Sequence, residues 1–190
     1  MRRTIGCLST IALLYACSEE RITSETKTVG LPSTAASANT QTADENKDLA
    51  TLRRVTAAFH DFEAADRAGW SVQITPCMMD ATQGGMGFHY GNPKLINGSV
   101  AVDEPELLLY EPEKNGRLRL VAVEYIVPLT EWKSAEPPRL FGRDFKVNEE
   151  FQVWALHAWV WENNPSGMFA DWNPAVNCDN TTDVAALMQH

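Results

Sequence analysis

Three residues of this 190-residue chain join reactive chemistry to unlikely surroundings: His89, Glu124 and His157. His157 stands in "FQVWALHAWVW", residues 151–161, sharing eleven positions with three tryptophans. Glu124 stands in "RLRLVAVEYIVP", where strand alternation sets it on one face with Leu118, Leu120, Ala122 and Ile126, the only charge there. A buried, unpaired carboxylate costs several kcal/mol, so it must find a cation, take up a proton or reach an opening. His89 stands in "GGMGFHYGNP", among glycines that let backbone approach closely. Imidazole, carboxylate and imidazole on three strands are the donor types of a site for a divalent transition metal. Without a metal, Glu124 is a candidate general base, its pKa raised by its apolar face. The competing reading makes each histidine a hydrogen-bonded core residue and pairs Glu124 with Arg119, Arg139 or Arg143. His60 lies off the apolar stripe of its helix and reads as solvated.

The elements that must position these groups are legible in outline. "TADE" at 42–45 has the form of a capping box, and Leu49, Leu52, Val55, Phe59, Phe62 and Ala65 follow at helical spacing up to a stop at Gly69. "SVQIT" then alternates as a strand. "PELLLYEP" and "RLRLVAVEYIVP" flank Lys114-Asn115-Gly116, a hairpin signal. A turn centred on Asn115-Gly116 sets Leu107 opposite Glu124 and Tyr110 opposite Val121. "FQVWALHAWVWE" is apolar on both faces, as a central strand is, although a buried helix gives the same pattern. On a strand, His157 shares a face with Phe151, Val153, Ala155, Trp159 and Trp161. Residues 129–150 read as a long irregular connection whose Trp132, Phe141 and Phe145 must dock somewhere apolar. Asn92-Pro93, Asn164-Pro165 and Asn173-Pro174 mark turns. The fold class is α+β: an N-terminal helix packed on a curved antiparallel sheet of four to five strands.

Charge and the chain ends bound the function. The net charge of −9, with no basic cluster, argues against nucleic acid as a partner. "MRR" followed by a short apolar run ending in "LYAC" resembles a bacterial lipoprotein signal, which implies a signal peptide over residues 1–16 and lipidation of Cys17. An ordinary secretory signal is the alternative, and both export the protein. Residues 17–43 are rich in Ser, Thr and Ala and read as a disordered tether, leaving one domain over 44–190. Cys77 and Cys178 then remain, and in an exported domain the simplest pairing is one disulfide, with paired metal ligation as the alternative.

"GGMGFHYGNP", "PELLLYEP", "RLVAVEY" and "LHAWVWENNPSGMFADWNPAVNC" resemble a family of uncharacterised exported bacterial proteins over roughly residues 50–178. The resemblance implies that the segments holding His89, Glu124 and His157 belong to one module, and it brings no activity with it. No nucleophile elbow and no phosphate-binding loop occurs. The expectation is a lipid-anchored protein of the bacterial cell envelope, touching the membrane only through its anchor. Its pocket, lined by Trp154, Trp159, Trp161 and Trp172, takes a small ligand, a divalent metal at His89, Glu124 and His157, or both. A metal-dependent enzyme using the same three residues is one alternative. An envelope protein with structural or interaction duties and no small-molecule site is the other.

Overall fold

A computed structural model of the chain describes residues 42–181. The segments read from sequence as a signal peptide, a lipidated Cys17 and a tether lie, up to Thr42, outside the described residues. The domain opens as the capping signal predicts: the Thr42 hydroxyl accepts the Glu45 N–H at 3.1 Å, and α1 runs Ala43–Thr56. The single helix expected as far as Gly69 is interrupted. A 3-10 turn, Ala57–His60, follows α1, and the Asp61 carboxylate then accepts the Glu63 N–H and starts α2, Phe62–Ala68. Gly69, at φ 116°, ends it. The apolar stripe survives the break, because Leu49, Leu52 and Ala65 are buried and Phe59 and Phe62 pack on the same cluster.

Eight strands follow: β1 Val72–Asp80, β2 Gly84–Gly91, β3 Leu107–Pro112, β4 Leu118–Pro128, β5 Arg139–Leu140, β6 Arg143–Asp144, β7 Lys146–Asn148 and β8 Val153–Ala158. Six form one antiparallel sheet in the order β1-β2-β3-β4-β8-β7, curled into a half-barrel, and β5 pairs with β6 separately. The sheet is wider than expected because residues 129–150 are not an irregular connection. They supply a small hairpin and the edge strand β7, and they bury Phe141 and Phe145 in the core.

The β3–β4 hairpin sets Leu107 opposite Glu124 as expected, but Tyr110 meets Leu120 instead of Val121. The turn is a three-residue loop, Lys114-Asn115-Gly116, one residue longer than the two-residue loop expected. Glu113 N–H donates to Arg117 O, Gly116 N–H donates to Glu113 O, and Gly116 sits at φ 75°. An irregularity between Leu109 and Tyr110 absorbs the difference, so the register at Glu124 is unaffected.

The helices cover one face of the sheet, where Phe88, Tyr90, Leu108, Tyr110, Val123 and Tyr125 are buried. Phe62 meets Tyr90 and Tyr110 edge-on at 4.5 and 5.2 Å, and Tyr110 Oη donates to Phe59 O. Gly87 lets β2 lie close to β3: it sits at φ 85°, and a Cβ there would lie 2.4 Å from Tyr110 O. On the C-terminal side, the Cys77–Cys178 disulfide joins β1 to a segment 101 residues away, and Asn173 exchanges backbone bonds with Gly85. Each asparagine of the three Asn-Pro pairs is buried and accepts a backbone N–H two residues on, from Lys94, Ser166 and Ala175 in turn.

Candidate metal centre

The opposite face of the sheet is concave, and its side chains line a cavity of about 520 Å³ that draws on β1, β2, β3, β4, β7 and β8. His89 on β2, Glu124 on β4 and His157 on β8 form part of its wall. Glu124 and His157 are direct cross-strand partners. His89 is two strands from Glu124, with Leu107 and Leu109 of β3 between them. Flat strands two places apart are separated by about 9.5 Å, so curling of the sheet is what brings the two side chains together.

The arrangement is nearly symmetric about the carboxylate. His89 Nε2 lies 3.5 Å from Glu124 Oε2, and His157 Nε2 lies 3.6 Å from Glu124 Oε1. One donor atom from each residue lies within 4.8 Å of the other two, and the imidazole centroids are 6.2 Å apart. Two donors bound at about 2.1 Å to one tetrahedral ion are roughly 3.4 Å apart, close to both His–Glu separations. The arginines offered as alternative partners of Glu124 are engaged elsewhere: Arg119 with Glu111 and Glu162, Arg139 with Asp144, and Arg143 with Glu45.

The histidines differ in their second nitrogen. His89 Nδ1 is 2.8 Å from the Thr75 hydroxyl, a buried contact that orients the ring and leaves Nε2 toward Glu124. His157 is 5% exposed, yet neither ring nitrogen has a hydrogen-bond partner. Its Nδ1 faces Asp171 Oδ1 at 3.9 Å, and Asp171 is itself paired with Lys146 Nζ at 2.9 Å. A satisfied core histidine does not leave both nitrogens bare.

Burial governs the protonation of all three. It pushes His89 and His157 down to about 3, helped at His89 by His157 and at His157 by Lys146. It pushes Glu124 up to about 8, helped by Asp171 and Glu106. The expectation of a raised pKa at Glu124 therefore holds. At neutral pH both imidazoles keep free lone pairs, so a dication need displace only the carboxyl proton.

The four tryptophans do not share the pocket. Trp172 lines the cavity. Trp159 lies in the cluster beneath it, stacked on His157 at 6.4 Å between centroids, with its indole N–H donated to Ala170 O. Trp154 packs against the helix-side core, and Trp161 reaches the helices, donating to the Thr56 hydroxyl. The alternation assumed from Phe151 to Trp161 ends because β8 stops at Ala158, where Val160 N–H turns back onto Ala158 O. His60 stacks edge-on against Trp161, away from the cavity. Thr75, Lys146 and Asp171 were missed by sequence reasoning. Thr75 was visible as a polar strand position, whereas nothing in "MFADWN" distinguishes Asp171.

Comparison with known proteins gives no match: no family model, no curated protein and no solved structure matches the chain.

Proposed function

We propose that this domain holds a divalent first-row transition metal through His89, Glu124 and His157 and presents it to a small molecule in the cavity. The observation that carries the reading is His157, a buried imidazole whose two nitrogens lack hydrogen-bond partners and whose Nε2 faces a carboxylate at 3.6 Å. Three protein donors leave coordination positions open, the pattern of catalytic rather than structural sites. A metal here supplies Lewis acidity to whatever occupies those positions. This chain's own residues do the rest. Thr75 orients the His89 ring, Asp171 faces the second nitrogen of His157, the apolar walls thin out water, and Glu124 supplies the negative charge. The lipoprotein-like N-terminus adds a location, with the domain tethered through Cys17 at the bacterial envelope.

Metal analysis of the purified protein tests the proposal. About one equivalent of Zn²⁺, Co²⁺, Fe²⁺ or Mn²⁺ is expected to be retained, with loss in His89→Ala, Glu124→Ala and His157→Ala but not in His60→Ala. Retention of none of the four ions by wild type refutes it. One observation favours a second reading. A buried carboxyl with its pKa near 8, opening on a cavity, is also a general acid–base group that needs no metal. That reading gains if chelators leave turnover intact while Glu124→Gln abolishes it.

A further inference from the structure

The remainder of the cavity wall says what kind of molecule it takes, given the metal reading above. Around the three donors the wall is mostly apolar, with Met78, Met86, Leu107, Ile126 and Val153 among its residues, broken by Thr75 beside His89 and by Asp171 beside His157. Large apolar side chains also stand in water where the cavity opens. Ile74 is 40% exposed, Val147 42% and Phe151 43%, and all three line the cavity. They come from both edges of the half-barrel, Ile74 from β1 and Val147 and Phe151 from β7 and the turn after it. Single exposed apolar residues are ordinary, but a group of them bordering one cavity marks an entrance.

Charge narrows the class further. Glu149 and Glu150 are exposed and also line the cavity, while its one lysine, Lys146, is neutralised by Asp171 at 2.9 Å. An anionic amphiphile meets acidic groups at the entrance, and a cation meets the metal at the other end. A sugar or polyol would lay its hydroxyls along the apolar part of the wall, Met78, Met86, Leu107, Ile126 and Val153. We infer that the cavity binds a small molecule with an uncharged, apolar, aryl-sized body and one oxygen-donor head that fills the open metal positions.

Hydroxamates test this directly, because the chelating head can be held constant while the body changes. Protein loaded with Co²⁺ is titrated with benzohydroxamic acid and acetohydroxamic acid, and the cobalt absorption spectrum is followed. Burial of the ring is expected to make the benzo compound about 30-fold tighter. A carboxylate in the para position should remove most of that advantage. Val147→Ser and Phe151→Ser, at exposed positions that tolerate change, should reduce the preference several-fold without altering cobalt content or acetohydroxamate affinity. Equal affinity for the two hydroxamates, with cobalt retained, overturns the aryl-pocket inference and leaves the metal reading standing. Failure to retain cobalt or any other divalent ion overturns both.

Discussion

Asp171 is the residue whose contribution separates a metal ligand set from a buried cluster that happens to contain histidines. Its carboxylate faces His157 Nδ1 at 3.9 Å and is held by Lys146. Metal-bound histidines commonly donate their second N–H to such a carboxylate, and its loss typically costs 10–100-fold in metal affinity. Asp171→Asn is therefore expected to raise the Zn²⁺ dissociation constant by about 10–100-fold in chelator competition. The same change should move the stability of the metal-free protein by less than about 1 kcal/mol, since the Lys146–Asp171 pair is solvent-exposed. A large loss of stability with unchanged affinity would assign Asp171 to the fold instead. The three candidate ligands were legible from residue type and strand face. Asp171 was not, because it lies outside the named strands and periodicity carries no information there.

At the scale of elements, local signals read well and long-range pairings did not. The Thr42 cap, the Gly69 stop and the Leu107–Glu124 register follow from residues close in sequence. The contact between His89 and Glu124 depends on how far the sheet curls across β3, and no spacing encodes that curvature. β7 escaped notice because three residues with exposed or half-exposed side chains carry no alternation to detect. The disulfide was legible once the export reading set the two N-terminal cysteines aside and left Cys77 and Cys178, and it gives a prediction at this scale. Cys77 and Cys178 should resist thiol reagents until a reductant is added. Reduction should then destabilise the domain by about 4–5 kcal/mol, the chain-entropy value for a loop of this length. Reagent uptake without reductant, or an unchanged unfolding midpoint after reduction, would contradict it.

For the whole molecule, the buried groups oppose one another in pH. Folding lowers His89 and His157 from 6.5 to about 3, so the unfolded chain takes up protons first as pH falls below 6.5, and stability drops. Folding raises Glu124 and Glu106 from 4.5 to about 8, so the unfolded chain sheds protons first as pH rises above 4.5, and stability drops again. Between 4.5 and 6.5 the two trends largely offset each other. The metal-free domain should therefore be most stable in that window and weaken toward both pH 3.5 and pH 8, as denaturant titrations in a chelating buffer would read. Glu124→Gln should lessen the alkaline decline, and saturating Zn²⁺ should move the optimum above pH 7, because the bound carboxylate must be ionised. A metal-free optimum near pH 8 would mean that the folded protein holds Glu124 ionised.

The strand order also fixes a timetable. β1 to β4 are neighbours in sequence and in the sheet, so each can add to the one before as the chain emerges during synthesis. β7 cannot follow suit, since its one strand partner among the described residues, β8, is still to come. His157 arrives on β8, and the bridge at Cys178 is made later still. Until then, His89 and Glu124 supply only two donors of the proposed ligand set. The third proposed donor thus reaches the site only after most of the described chain has been delivered, and a molecule truncated before residue 157 would carry two of the three proposed donors with nothing to complete them.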